Sequence, residues 1–471
     1  MAASVKNALI WVFGALGGIL WGYDTGVISG AMLFIKRDIA LTPLLEGLVV
    51  SGLLVGAMLG AGLSGRLSDS WGRRRLILAA SGVFILGTLG AAWATGAAAL
   101  IAFRFVIGVG VGIASVVVPL YLTELAPKHL RGGLTSLMQL LVTVGIFVAY
   151  VTDYLLAGSG AWRWMIGLGV VPAAVLALGI ITQPESPRWL VGKGRGEEAR
   201  TVLTRLRGDA AAAGEELAEI ERTERAEREA SEPLTLRRLL SPRLRPVFTV
   251  GMLLVLFQNF VGINTIIYYA PTLLTDIGFG SAGAILANVG IGLLNMVMTL
   301  PAMRLIDRRG RKPLLRTGAL GMCAAMVLLA AVNLSGLGYG ALLSTLTLLG
   351  IGLYIASFAI SWGPVQWVML PELFPMRIRA AAVGLCVLFN WLFNMIVALV
   401  FPSLLHAWGA GVNFLFFAAT TLLAFVFVQR LLPETKGRSL EEIEAELLRD
   451  GPDPRPGGRT APVSSEADAV H

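Results

Sequence analysis

Twelve apolar runs dominate this chain, each close to the roughly 20 residues that a helix needs to cross hydrocarbon. They lie near 8–34, 46–66, 76–95, 98–122, 133–155, 162–182, 247–274, 281–303, 313–333, 340–369, 380–400 and 411–432. Within a bilayer the backbone must pair its own polar groups, so such runs become helices. The expected fold class is therefore an all-α membrane protein with twelve transmembrane helices. Composition agrees: of 471 residues 56% are hydrophobic and 14% charged, against about 25% charged in soluble proteins. The first run is too long for a secretory signal and lacks a small-residue cleavage site, so it is read as retained. Cys323 and Cys386 fall in different runs, and nothing in their spacing suggests a disulfide or a metal site.

A net charge of +8 does not point to nucleic acid, because the basic residues cluster in short loops at span ends, where they set orientation. Arg66, Arg73, Arg74, Arg75, Lys128, Arg131, Arg304, Arg308, Arg309, Arg311, Lys312, Arg316, Arg377 and Arg379 follow even-numbered spans, whereas only Lys36, Arg37 and Arg163 follow odd ones. Both termini are expected in the cytoplasm. So is the long polar stretch 192–245, where Arg and Glu alternate at helical spacing.

The chain also repeats itself. GRLSDSWGRRR (65–75) returns as MRLIDRRGRKP (303–313), VPLYLTELAPKHLRG (118–132) as VMLPELFPMRIRA (368–380), and PESPRWL (184–190) loosely as PETKGRSL (433–440). The resulting division is an N-terminal six-helix half (1–191), a cytoplasmic linker with short helices (192–245), a C-terminal six-helix half (246–440) and a cytoplasmic tail (441–471). Internal repeats of this kind place a binding site between the halves.

These repeats, with RFVIGVGVG (104–112), FQNFVGINTIIYYAPTLL (257–274), WGPVQWVMLPELFP (362–375) and PETKG (433–437), resemble the sugar porter family of the major facilitator superfamily over about residues 8–440. The resemblance implies a membrane carrier that moves a monosaccharide by alternating access, bacterial proton-coupled hexose symporters being the nearest type. It implies the plasma membrane, a monomer, and as partners the sugar, a proton and the bilayer, with no cofactor. It also implies that the charged clusters at the cytoplasmic span ends lock the outward-facing state. Those clusters are Asp69 with Arg73 and Arg74, Glu124 with Arg131, Asp307 with Arg311, and Glu372 with Arg379. From the residues alone they pair with one another or cap helices.

Within span 1, GGILWGYDTGVISG (17–30) puts a carboxylate, Asp24, in a run otherwise fit for hydrocarbon, where a charge is costly and usually functional. Gly14, Gly18, Gly22, Gly26 and Gly30 form a stripe for close packing. Asp24 lies about 200° round the helix from Gly22, so it faces another partner. Arg104, inside span 4 and in line with Gly108 and Gly112, is the basic residue placed to be that partner. Arg keeps its charge in a protein, and Asp does not have to. A pair whose separation changes with conformation acts as a proton switch, and the alternative is a fixed structural bridge. The resemblance favours the switch, since uniporting relatives usually carry a neutral residue here.

A sugar site wants side chains that both donate and accept, which amides do. Gln139 in span 5, Gln258, Asn259 and Asn264 in span 7, Asn295 in span 8, and Asn390 and Asn394 in span 11 supply them, and Trp367 adds a flat face for a pyranose ring. In span 7, Gln258, Thr265 and Tyr269 fall within about 20° of one another while Asn264 sits about 120° away, so the helix is expected to break near Gly262. Tyr268 and Tyr269 then form an extracellular lid. The family usually carries a second glutamine where Asn259 stands, which leaves the sugar open. Ala359 is neutral where some uniporters carry Glu.

Three histidines in loops and termini, with no nucleotide loop, argue against an enzyme. A channel would need a pore-lining ring or filter. A drug exporter would suit a less amide-rich pocket, and a sugar sensor a longer tail. A proton-independent sugar or polyol facilitator remains the alternative.

Overall fold

The computed structural model describes residues 2–127, 131–229, 241, 244–335, 340–374 and 378–436. Helices account for the regular structure among them. The first six spans are α1 (Ala2–Asp38), α2 (Pro43–Trp71), α3 (Arg73–Ala92), α4 (Ala97–Leu125), α5 (Arg131–Ala157) and the pair α6 (Trp162–Gly167) and α7 (Val170–Ile181). Short helices α8 (Pro187–Gly192), α9 (Gly196–Arg207) and α10 (Ala210–Glu229) follow. The last six spans are the pair α11 (Arg245–Phe260) and α12 (Ile263–Asp276), then α13 (Ser281–Arg309), α14 (Arg311–Leu334), the pair α15 (Ala341–Ile360) and α16 (Trp362–Leu373), and α17 (Arg379–Arg430).

Eleven of these units are long and apolar enough to cross a membrane. The last, α17, is long enough for two crossings and leaves helical geometry at Gly409, whose φ is 72°, so it carries spans 11 and 12. Twelve crossings result.

The spans form two groups. In the first, α1 packs on α5, and α2 and α3 pack on α4; in the second, α14 packs on α15 and α17, and α11 on α17. The groups meet where α2 touches α17, α5 touches α13 and α1 touches α12. Hydrocarbon gives helices little hydrophobic reason to associate, so small residues that allow backbones to approach do the joining. The glycine stripe of α1 does this against α5: a β-carbon on Gly22 would overlap Val142 O, and one on Gly18 would reach Met138 O at 2.6 Å. On α4, Gly108 and Gly112 lie equally close to the backbone of Leu53 and Ala57 in α2. That contact brings Arg104, one turn before Gly108, to the α1–α2 seam.

Candidate functional site

With the glycine face of α1 committed to α5, Asp24 looks the other way and meets α4. Arg104 Nη1 donates to Asp24 Oδ1 at 2.8 Å, and Arg104 Nε donates to Val49 O of α2 at 3.2 Å. Both side chains are buried, the Asp24 residue 3% and the Arg104 residue 1% exposed. Asp24 Oδ2 is buried without a hydrogen-bond partner among the described residues. The arrangement is a monodentate ion pair with one oxygen spare, held between three helices.

In the second group the helices themselves are interrupted. Span 7 breaks at Gly262, as its mismatched faces require. Its φ is 96°, a left-handed conformation that favours glycine. The carbonyls released there find partners: Tyr354 of α15 donates to Val261 O at 2.9 Å, Thr420 of α17 to Phe260 O at 2.7 Å, and Thr265 to Gly262 O at 2.6 Å. Span 10 breaks at Ser361, between α15 and α16, where φ is −124° and ψ −88°. Pro364, three residues on, lacks the N–H that would continue the helix onto Ile360 O, a signal that the sequence reading did not use.

The two breaks bring amides together. Asn264 Nδ2, just past the first break, donates to Asn259 Oδ1 just before it at 3.1 Å. Asn259 Nδ2 donates to Val255 O at 2.9 Å and to Asn390 Oδ1 of α17 at 3.0 Å. Gln366 of α16 donates to the same Asn390 Oδ1 at 3.4 Å. The carbonyl oxygens of Gln258, Gln366 and Asn394 and the Trp391 Nε1 are buried without partners among the described residues. An unsatisfied buried polar atom costs about 1–3 kcal/mol, so this cluster is disposed to bind a ligand rich in hydroxyls. Gln139 on α5, half-buried, and Asn295 on α13, buried, stay outside the hydrogen-bonded chain. Trp367 is half-buried, and Trp21 of α1 meets it edge-on with ring centroids 6.2 Å apart and Trp391 at 5.3 Å. This aromatic group joins the two halves near the amides.

Tyr268 and Tyr269 are both buried on α12. Tyr269 donates to Ala398 O of α17 at 3.0 Å, and its ring lies 5.3 Å from that of Phe401. Among the described residues, three hydrogen bonds cross between the halves: Tyr150 to Ile267 O at 3.0 Å, Asn288 Nδ2 to Ser29 Oγ at 3.0 Å, and Arg37 to Ser281 Oγ at 2.7 Å. All three lie toward the end of the bundle that carries the α1–α2 connection.

At the opposite end, charged residues pair within each half, in a pattern that departs from expectation. Arg73 forks onto Glu124 at 3.0 and 3.2 Å, with Asp69 at 3.4 Å. Arg74 does not pair with Asp69. Its guanidinium donates to Ile180 O and Ile181 O at the C-terminal end of α7, where free carbonyls attract a cation. In the second half Arg311, and not Arg379, holds Glu372, at 2.9 Å, while Arg379 donates to Phe374 O at 3.2 Å. The side chains of Arg131 and Asp307 lie outside those described.

Several residues that the structure brings to these places escaped the sequence reading: Trp21, Trp391 and Gln366 near the amides, and Glu185 and Glu434 at the charged end. Glu185 Oε1 accepts from the backbone N–H of Arg73, Arg74 and Ser186 at 2.9–3.1 Å. Glu434 accepts from those of Arg311, Lys312, Thr435 and Lys436 at 2.9–3.0 Å. Glu185 thus caps the N-terminus of α3 and Glu434 that of α14, the third span of each half. The signal was present in the repeat PES/PET, whose acid recurs in both halves.

The sequence model of the "Sugar (and other) transporter" family matches residues 10–447. The glucose transporter GlcP of Staphylococcus epidermidis is 45% identical over 453 residues, covering 96% of this chain and 98% of that protein. A D-xylose transporter of Levilactobacillus brevis is 41% identical over 445 residues, covering 94% and 96%. Among solved structures, the xylose transporter XylE of E. coli in an inward open conformation superposes with a TM-score of 0.80 at 31% identity, covering 93% of this chain and 99% of that one. The proton:xylose symporter XylE bound to 6-bromo-6-deoxy-D-glucose gives 0.77 at 32% identity, covering 94% and 99%.

Proposed function

Because the chain belongs to the sugar porter family of the major facilitator superfamily, we propose that it imports a monosaccharide, a hexose such as glucose, together with a proton. Relatives named for glucose and xylose and a neighbour described as a proton:xylose symporter support this reading. The observation that carries it is the pairing of two unlike centres, a buried Asp24–Arg104 ion pair in one half and a hydrogen-bonded amide cluster in the other.

On this reading the halves are 1–191 and 246–440, with 192–245 the cytoplasmic linker and 441–471 the tail. The protein works as a monomer in the plasma membrane with both termini in the cytoplasm. The end bearing the α1–α2 connection is then extracellular, and the cross-half hydrogen bonds there close it, leaving a state open to the cytoplasm. In that state Asp24 is paired with Arg104 at 2.8 Å, as befits a carboxylate that has given up its proton. Facing outward, Asp24 takes a proton and loses the attraction that holds Arg104, and α1 and α4 separate. Gln139, Gln258, Asn259, Asn264, Asn295 and Asn390 hold the sugar hydroxyls, Trp367 packs on the ring, and Tyr268 and Tyr269 close over it. The charged clusters of Asp69, Arg73, Arg74, Glu124, Arg131, Asp307, Arg311, Glu372 and Arg379 open and shut the cytoplasmic seam.

Uptake of a labelled monosaccharide panel into proteoliposomes, with and without an imposed proton gradient, tests this in wild type and Asp24→Asn. The variant keeps size and hydrogen bonding but has no proton to exchange. It should bind and exchange sugar yet fail to accumulate it. Accumulation at the wild-type level would leave Asp24 a structural partner of Arg104 and put the coupling elsewhere, whereas a wild type that only equilibrates sugar, with or without the gradient, would favour a proton-independent facilitator.

A further inference from the structure

Gln366 is 0% exposed, yet it sits on α16 five residues past the break at Ser361 and ends the amide chain. The chain has a direction. Asn259 spends both N–H groups, one on Val255 O and one on Asn390 Oδ1. Asn390 Oδ1 therefore receives two donors, from Asn259 and from Gln366, which occupy both of its lone pairs. Turning the Asn390 amide over would set its NH2 against two other NH2 groups. Its donor side is thus fixed, and among the described residues its Nδ2 donates to none.

We propose that Gln366 is a specificity-determining positioning residue of the sugar site, fixing Asn390 so that its amide N–H groups read a hydroxyl oxygen of the substrate as an acceptor. Without Gln366 one lone pair of Asn390 Oδ1 is freed, and the amide gains the option of accepting a hydroxyl hydrogen instead. The substrate class this selects is a pyranose whose hydroxyl at that position is needed for its oxygen and not for its hydrogen. The inference rests on the sugar-binding reading above and deepens it.

Fluorine accepts a hydrogen bond weakly and donates none, so it separates the two contacts. The test is calorimetric binding of D-glucose and D-xylose with their monodeoxy and corresponding deoxyfluoro derivatives, to wild type, Gln366→Met, Asn390→Ala and the double variant. In wild type, one ring position should lose about tenfold on deoxygenation, the cost of one hydrogen bond, while the fluoro derivative at that position stays within about threefold of the parent sugar. In Gln366→Met this fluoro-to-deoxy discrimination should shrink toward unity, and adding it to Asn390→Ala should change little further. A purely structural role for Gln366 would weaken all sugars alike and leave the ratio untouched, which overturns the inference. A wild type with no position at which fluorine preserves what deoxygenation loses also overturns it, whether or not Gln366→Met folds. If the wild type binds neither D-glucose, D-xylose nor any derivative, the sugar reading falls and takes this inference with it. Sugar binding with an unchanged ratio sinks this inference alone.

Discussion

The two halves share a repeat of six spans but solve the bilayer midplane differently. In the first, α1 and α4 run unbroken through the membrane and carry a charge pair, Asp24–Arg104. In the second, spans 7 and 10 are each broken, at Gly262 and Ser361, and carry neutral amides. Packing differs in the same sense. The glycines of the α1–α5 and α2–α4 seams, such as Gly22 on Val142 and Gly108 on Leu53, lie against backbone carbonyls, whereas Gly318 and Gly350 of the second half lie against the side chains of Ser361 and Leu329. An ion pair in low dielectric tolerates little slack, since a buried charge that loses its partner is expensive. A sugar site needs adjustable donors and acceptors, which breaks and side-chain contacts allow. One scaffold thus provides a stiff half suited to a charge and a pliant half suited to hydroxyls.

The largest expected effect tests the stiff half. Arg104→Ala leaves Asp24 buried beside no guanidinium, which should cost about 3–5 kcal/mol. Adding Asp24→Asn should restore much of the thermal stability in detergent without restoring proton-driven uptake. A single variant that melts with the wild type would show that the pair is not confined as its burial indicates. Gln258→Ala tests the pliant half. It should weaken sugar binding by one to two orders of magnitude, about 1–3 kcal/mol, while the response of uptake to a proton gradient persists. Calorimetry that finds unchanged affinity removes Gln258 from the site. The packing contrast predicts that Gly108→Ala costs more than Gly350→Ala, by about 1–2 kcal/mol, because a backbone carbonyl yields less readily than a leucine side chain. Matched melting temperatures would dissolve the contrast. The smallest effect concerns the charged ends. The Glu124 side chain is 5% exposed and that of Glu372 31%, so Glu124→Gln should destabilise by about 1 kcal/mol more than Glu372→Gln, the outer pair being screened by solvent. An equal or reversed order in thermal unfolding would refute that ranking.

Run lengths made the twelve crossings legible, and the clash of helical faces around Gly262 made one break legible, because both depend on residues near in sequence. Asp24 and Arg104 stood out as charges where hydrocarbon disfavours them, so their meeting was also open to inference. The break at Ser361 was legible too, though unread: Pro364 has no N–H for the carbonyl of Ile360 and is tolerated in the first turn of the helix that restarts at Trp362. The partners of Arg74 and Arg379 were not legible, since their guanidiniums take backbone carbonyls that any sequence supplies. Gln366 lies inside WGPVQWVMLPELFP, but its role depends on Asn390, 24 residues away and on another helix, so its local sequence does not reveal it.

The break in span 7 also has a mechanical side. Every carbonyl around it is held by a neighbour: Phe260 O by Thr420, Val261 O by Tyr354 and Gly262 O by Thr265. The end of α11 is thereby tied to α15 and α17, so once the bonds of α12 to Tyr150 and to Ala398 release, the left-handed Gly262 is the point about which it can turn. Beyond that pivot α12 has 14 residues, a lever about 21 Å long at 1.5 Å per residue. Swinging it by about 10° carries its far tip roughly 4 Å, on the order of a water diameter, while Asn264 beside the fulcrum hardly shifts. A large aperture at the membrane surface and a steady grip at its centre can therefore be served by one small turn.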